Sequence, residues 1–228
     1  MPKSLQPRPS GKRAPAPSKT QLARDLVEEI RRSTKPTQAE AAIGRLSRAI
    51  DLLDRGDSRG AAAEAAKAKE LAPRSPAVRE VLGLSLYGEE RWQDALAEMK
   101  AYQRMSGRSD QNHIIGDCLR ALGRPGEVVP LADEALRARI PNEAKAEAVI
   151  VAAAALADLK RFPEALAYLR RATTRDDISE GYTLRLWYVE ADILERAGRR
   201  AEAETGFRKI MRHDPTAFDV AERIAQLG

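Results

Sequence analysis

The sequence predicts an all-α protein built from repeated helical hairpins. Of its 228 residues, 40 are Ala and only 10 are aromatic, and Leu, Glu, Arg and Lys are abundant. These abundant residues are strong helix formers, whereas the β-branched and aromatic residues that strands favour are sparse. Charged residues make up 32% of the chain and are mixed in sign, as expected of helices with one solvated face. Short breaks rich in Gly and Pro divide most of the chain into helical segments.

The first 19 residues differ from the rest of the chain in composition. They hold five Pro, five basic residues and no acidic residue, which gives this segment a charge of +5. The whole chain is also +5, so the remaining residues sum to zero. A segment with so little apolar surface cannot offset the entropy that it would lose on ordering. We therefore predict that residues 1–19 are a disordered basic tail.

The helical pattern begins at residue 20. Residues 20–35 form a predicted N-terminal helix with apolar residues at helical spacing, namely Leu22, Leu26, Val27 and Ile30. The segment ends at Pro36, and Thr37 and Glu40 then form a capping-box pattern. We therefore expect the second helix to begin at Thr37. From there to residue 215 the breaks are so short that neighbouring helices must lie antiparallel.

Small residues recur at a nearly fixed spacing in this region. They lie near the start of the second helix of each predicted pair, at Ala61, Ala95, Val128, Ala165 and Ala203. The steps between them are 34, 33, 37 and 38 residues. Where two helices cross closely, the residue at the crossing has to be small. The two longer steps predict longer helices or loops in the fourth and fifth pairs.

Residues 38–215 resemble the tetratricopeptide repeat family. The last copy matches the family pattern best, through Trp187, Ala191, Leu194, Gly198, Ala203, Phe207 and Asp214-Pro215. The resemblance implies a right-handed α-α solenoid of about five hairpins, spanning residues 37–215, with flanking capping helices. Residues 216–228 are predicted to be the C-terminal capping helix, because their apolar residues are three or four apart: Ala217, Val220, Ile224 and Leu227.

The resemblance also implies a function, since the first helices of such hairpins line a concave groove that receives a peptide. The groove positions of the family fall on Glu80, Leu84, Tyr87, Asp110, His113, Asp117, Arg120, Tyr188, Asp192 and Glu195. This set lacks the Lys and Asn pattern with which some family members hold a C-terminal carboxylate. It is acidic with aromatic steps, which would suit a basic or mixed peptide. The alternative is that these residues are solvated positions only.

No set of residues predicts catalysis, a metal site or a cofactor. His113 and Asp117 would share a helix face next to Cys118, but the only other His is His213, and no CxxC or HExxH pattern completes a site. We therefore predict a non-catalytic scaffold or adaptor that binds a protein or peptide partner. The alternative function is a nucleic-acid- or ribosome-associated factor that uses the basic N-terminal arm.

The sequence gives no sign of a membrane segment. The most apolar stretch, residues 148–157, is too short to span a bilayer, and we predict a buried helix there. The N-terminus has basic residues but no apolar core after them, so it is not a secretory signal. One cysteine, Cys118, permits no internal disulfide and suits a reducing compartment. These features predict a cytoplasmic protein.

Overall fold

The structure is a computed structural model that describes residues 19–172 and 181–228. Within these ranges it contains twelve α-helices, one short 3₁₀ turn and no β-strand, which confirms the predicted all-α class. The predicted disordered tail lies outside the described residues, apart from Lys19, which begins the first helix. The helices fall into two compact units, divided between Leu122 and Gly123.

The first unit consists of stacked helical hairpins. Its helices are α1 (Lys19–Ser33), α2 (Pro36–Asp54), α3 (Ser58–Leu71), α4 (Pro76–Gly88), α5 (Trp92–Ser106) and α6 (Asn112–Ala121). α2 packs against α3, and α4 packs against α5. Both helices of the first hairpin contact α4, and both helices of the second hairpin contact α6. α1 packs against α2 and α4.

The second unit follows the same plan. After a 3₁₀ turn at Pro125–Glu127, its helices are α7 (Val128–Arg137), α8 (Asn142–Asp158), α9 (Phe162–Leu169), α10 (Tyr182–Arg196), α11 (Arg200–His213) and α12 (Val220–Leu227). The hairpins α8–α9 and α10–α11 stack because α8 and α9 both contact α10. α7 packs against α8, and α12 packs against α11. The third predicted hairpin, α6 with α7, is divided between the two units.

The small residues predicted at the helix crossings are all buried, at 0–1% exposure. Four of them are the fourth residue of a second helix, and Val128 is the fourth residue counted from the start of the 3₁₀ turn. The burial pattern of residues 91–99 is repeated without change at residues 161–169. The same register therefore holds in the fourth hairpin, where the sequence step is longer.

The longer steps have two different causes. The step from Val128 to Ala165 contains α8, which has 17 residues where α4 has 13. In the step from Ala165 to Ala203, residues 170–181 connect α9 to α10. Residues 173–180 of this connection are outside the described part of the chain.

Two glycines show how closely the helices of a hairpin cross. A Cβ placed on Gly83 of α4 would lie 2.4 Å from Sδ of Met99 on α5. A Cβ placed on Gly206 of α11 would lie 3.0 Å from Cβ of Ala191 on α10. Carbon atoms in contact normally lie about 3.5–4.0 Å apart. A larger side chain at either glycine would therefore have to displace its neighbour, which is the Met99 side chain at Gly83 and Ala191 at Gly206.

The turn between the two helices of each hairpin has a common backbone conformation. Five residues before each small position, one residue has a left-handed backbone, with φ between 58° and 81°: Gly56, Glu90, Gly123, Lys160 and Gly198. In the last turn the N–H of Gly198 donates to Glu195 O and that of Arg199 donates to Leu194 O, both at 2.9 Å. This bonding satisfies two of the carbonyls that end α10. Three of the five turns use Gly, for which this conformation has no steric cost.

An arginine follows the left-handed residue in four of the turns. Its guanidinium pairs with a carboxylate three residues later, at N–O distances of 2.5–2.7 Å, in the pairs Arg91–Asp94, Arg124–Glu127, Arg161–Glu164 and Arg199–Glu202. Each carboxylate lies at the start of a second helix, where the helix dipole favours negative charge. In the first turn the Asp57 side chain accepts the N–H of Gly60 instead, at 2.8 Å.

The apolar stretch at residues 148–157 lies within α8, as predicted, and all of it is buried except Ala154, which is half-buried. α8 is covered on several sides because α7, α9 and α10 contact it. A helix that is apolar all round is expected in such a position. No described helix has the length and apolarity needed to cross a membrane.

Two helix starts differ from the positions expected from the sequence. α2 begins at Pro36 after Lys35, with no side-chain cap, and Glu40 pairs with Arg31 of α1 at 2.9 Å instead of closing a capping box. Pro at the first position presets the helical φ and has no N–H that needs a partner. The last helix begins at Val220, not at residue 216, because the Asp214 side chain accepts the N–H of Thr216 at 2.8 Å and forms a turn.

Replacing Glu90 or Lys160 by glycine should increase the stability of the protein, because a left-handed backbone costs a residue with a side chain about 1–2 kcal/mol. Since Gly also loses more entropy on folding, we expect Glu90→Gly and Lys160→Gly each to stabilise the protein by about 0.5–1 kcal/mol. Gly198→Ala is the matched opposite and should destabilise it by about 1 kcal/mol. Denaturant unfolding at constant m measures all three changes. A loss of stability in Lys160→Gly would contradict the argument.

Candidate functional site

The predicted groove residues of the first unit lie on two neighbouring helices. Glu80, Leu84 and Tyr87 share one face of α4, because they are spaced by four and three residues. His113, Asp117 and Arg120 share one face of α6 in the same way, and Asp110 lies just before that helix. All seven residues are half-buried, and α4 packs against α6. We call this set the α4–α6 face: Glu80, Leu84, Tyr87, Asp110, His113, Asp117 and Arg120.

Tyr87 joins the two helices at one end of the α4–α6 face. Its hydroxyl donates to Asp117 Oδ2 at 3.1 Å, and Arg120 donates to Asp117 Oδ1 at 3.0 Å. The Tyr87 ring also makes an edge contact with Trp92 of α5, with 5.4 Å between ring centroids. Burial and the charge of Asp117 raise the pKa of Tyr87, so its hydroxyl remains a donor. The Tyr87 side chain is therefore held in one position.

A second polar group joins the other end of the same face. Gln111 donates to Glu80 Oε1 at 2.7 Å. Beside it, Asp110 accepts hydrogen bonds from the Tyr102 hydroxyl at 2.9 Å and from Arg108 Nε at 3.0 Å. Burial raises the pKa of the Glu80 carboxyl, and the charge of Asp110 adds to this effect, against the hydrogen bond from Gln111.

The α4–α6 face is less acidic than the sequence predicted. Asp117 is compensated by Arg120, and Asp110 is compensated by Arg108. Glu80 has a neutral partner in Gln111. The surface is thus a hydrogen-bonded polar network around Leu84 and Tyr87, not a row of uncompensated carboxylates.

The predicted groove residues of the second unit, Tyr188, Asp192 and Glu195, form a separate cluster on α10. Arg223 of α12 donates to Asp192 at 2.8 Å, to Glu195 at 2.6 Å and to the Tyr188 hydroxyl at 3.2 Å. Tyr188 also donates to Asp219 at 2.6 Å. Tyr188 and Asp192 are only 5% and 6% exposed. These two predicted groove residues are therefore buried, with Arg223 of the last helix bound to both.

Arg223 was missed by the sequence analysis although it is the centre of the α10 cluster. Its guanidinium also lies 4.9 Å from the ring centroid of Phe207. Burial works to lower the pKa of Arg223, but its hydrogen bonds to Asp192 and Glu195 outweigh burial and raise it. The sequence did contain an indication that Arg223 faces the protein. Arg223 lies on the apolar face of an amphipathic helix, about one turn after Val220 and one turn before Leu227.

Cys118 lies next to the α4–α6 face and is fully buried. Burial and the charge of Asp117 raise the pKa of its thiol to about 12, so it stays protonated at neutral pH. Only the thiolate is a strong nucleophile. Across residues 19–172 and 181–228, no group of three His, Cys, Asp or Glu side chains is placed to hold a metal ion.

Comparison with known proteins identifies the fold. No protein-family model and no curated protein matches the sequence. Among solved structures, the chain is similar to YrrB, a tetratricopeptide repeat protein described as having an unusual peptide-binding site, with 20% identity over 77% of this chain and 87% of that one and a TM-score of 0.54. It is also similar to TTC0263, a thermophilic tetratricopeptide repeat protein of Thermus thermophilus, with 19% identity, coverages of 82% and 98%, and a TM-score of 0.60.

Stacked helical hairpins with small residues at each crossing define a helical repeat protein. The similarity to both solved structures confirms the type of repeat: this chain has the tetratricopeptide repeat fold.

The raised pKa of Glu80 predicts a pH-dependent effect of Glu80→Gln. Because the folded-state pKa lies above the unfolded value, ionised Glu80 lowers stability once the pH rises through the folded pKa. Glutamine keeps an acceptor for Gln111 and carries no charge. We therefore expect the variant and the wild type to be equally stable near about pH 4.5 and the variant to be the more stable at about pH 8, as measured by urea unfolding. If the stability of the wild type instead increased relative to that of the variant as the pH rises, this expectation would be contradicted.

Proposed function

We propose that the chain is a non-catalytic scaffold for protein–protein interaction, and that it binds a peptide segment of a partner on the α4–α6 face. The observation that supports this most directly is the Tyr87–Asp117 hydrogen bond between α4 and α6. It fixes an aromatic ring and a carboxylate on a half-exposed surface before any partner binds. A preformed surface loses less entropy on binding than one that must first be ordered.

The α4–α6 face has the mixed character of a peptide-binding surface. Leu84 lies one turn from Glu80 and about one turn from Tyr87, so an apolar centre is flanked by polar groups. Since Arg120 and Arg108 already compensate two of the carboxylates, the peptide would be of mixed charge, with an apolar side chain against Leu84. YrrB, which has the same fold, is described as having a peptide-binding site.

We do not include the α10 cluster in the proposed peptide site, because its carboxylates are already bound by Arg223 of α12. We assign residues 37–215 to the repeats and residues 216–228 to the C-terminal cap. The protonated, buried thiol of Cys118 is compatible with a reducing compartment, and we place the protein in the cytoplasm.

The test is the selection of binding peptides from a displayed random library on the purified chain of residues 1–228. We expect Leu84→Glu to lower the affinity for the selected peptides at least about tenfold, since it places a charge at the apolar centre. Met105→Glu is the matched control, because Met105 is a half-exposed apolar residue on α5, 39% exposed, in the same unit. This control should change affinity by less than about twofold.

Circular dichroism shows whether each variant keeps its helices. Failure to select any peptide, or peptides whose affinity is the same for the wild type and folded Leu84→Glu, would contradict the proposal.

A further inference from the structure

The first helix, α1, packs against first helices of the hairpins, and the proposed peptide site also lies on first helices, α4 and α6. α1 packs against α2 and α4, which are the first helices of the first two hairpins. In the repeat register, Leu46 of α2 corresponds to Glu80 of α4 and to His113 of α6, since the successive steps are 34 and 33 positions. Glu80 and His113 are half-buried, but Leu46 is only 2% exposed. At this one register position α2 is buried where α4 and α6 are half-buried, whereas the next positions of α2 in the same register, Ile50 and Leu53, are half-buried like Leu84 and Tyr87.

A polar contact fixes α1 to the start of α4. Glu29 Oε2 accepts the Ser75 hydroxyl at 2.7 Å and the N–H of Ala77 at 3.2 Å. Glu29 Oε1 accepts the hydroxyl of Ser33, also on α1, at 3.0 Å. The first N–H groups of a helix have no partner within it and favour a carboxylate. Glu29 of α1 thus places at the start of α4 a carboxylate that a bound ligand could also provide.

Residues 24–33 of α1 bury few side chains. Among residues 24–33, only Ile30 is buried, while Leu26 and Val27 are half-buried. The ion pair of Arg31 with Glu40 is exposed on both sides and contributes little. The connection to α2 is only two residues long, Thr34 and Lys35, and Lys35 has an extended backbone.

We propose that the surface formed by α2 and the start of α4 is a docking site for an amphipathic helix of a partner protein, and that α1 is its displaceable resident. The partner helix would present apolar residues at the spacing of Leu26, Val27 and Ile30, with a carboxylate at the position of Glu29. This inference rests on the proposed scaffold function and deepens it, because it names the class of partner. It also adds regulation, since α1 must leave before the partner helix can bind.

The two-residue connection makes α1 a strong competitor. A short tether gives the attached segment a millimolar or higher effective concentration, so a free helix has to bind against it. The apparent affinity of the partner is reduced by the fraction of molecules in which the site is open. Weakening the contacts of α1 should therefore strengthen binding of a helix added from outside.

The experiment uses a fluorescent peptide of residues 19–33 and the chain of residues 1–228, with binding measured by fluorescence anisotropy. We expect weak binding to the wild type and at least about tenfold tighter binding to an Ile30→Asp chain, whose own α1 is released. Arg24→Asp is the matched control, because Arg24 is exposed on the same helix, and this chain should bind as the wild type does. A peptide that itself carries Ile30→Asp should not bind.

A second variant makes the result independent of the buried substitution. Glu29→Ala removes the contact with Ser75 and Ala77 without placing a charge in an apolar site, and we expect a gain of about threefold. Equal peptide affinity for the wild type, Ile30→Asp and Glu29→Ala chains would overturn the proposal. Loss of the helices of α2–α5 in Ile30→Asp would also overturn it, because α1 would then be a permanent part of the core.

Two further outcomes separate this inference from its alternatives. A wild-type chain that is dimeric at the same concentration would overturn the assignment to a partner protein, since α1 of a second copy would be the occupant. Peptides that depend on Leu84 are selected on the wild type with α1 in place. If they bind while α1 cannot be exchanged, only the present inference fails, and the proposed function stands.

Discussion

The structure depends on how closely the two helices of each hairpin cross. In each of the four hairpins that lie within one unit, the second helix presents a buried small residue, and in two of these hairpins a glycine lets the partner helix approach still closer. Close crossing brings the ends of the two helices near each other, so a short turn with one left-handed residue can join them. Larger apolar side chains fill the remaining space, and Met99 and Phe207 are completely buried. The small residues that recur every 33–38 positions thus underlie the repeat.

This constraint explains which parts of the fold were predictable from the sequence. Ala and Gly at helix crossings are visible in the sequence because few other residues fit there, and the hairpins followed from them, whereas the register between residues 140 and 185 did not. The turns at Glu90 and Lys160 were not predictable as left-handed, since neither residue favours that backbone. α2 begins one residue before the capping-box pattern of Thr37 and Glu40, because Pro36 can occupy the first position of a helix.

The candidate site was harder to predict than the fold. Helical spacing places Glu80, Leu84 and Tyr87 on one face, but it does not show what each carboxylate binds. The partners are distant in sequence: Tyr87 and Asp117 are 30 residues apart, and Asp192 and Arg223 are 31 apart. An amphipathic helix such as α1 or α12 can pack on several surfaces, so its position depends on contacts that the local sequence does not specify. Because each carboxylate of the α4–α6 face has an arginine or glutamine partner, this face is a polar network, whereas the resemblance alone suggested an acidic groove.

The most direct test compares leucine at a crossing position with leucine two residues away. Ala61, Ala95, Ala165 and Ala203 are 0% exposed, and each has an exposed alanine two positions away on the same helix, at Ala63, Ala97, Ala167 and Ala201. Chemical unfolding of the eight Ala→Leu variants should show losses of about 1–3 kcal/mol at every buried position. Changes at the exposed partners should stay within about 0.5 kcal/mol. Equal effects within the pairs would show that close helix crossing does not hold these hairpins together.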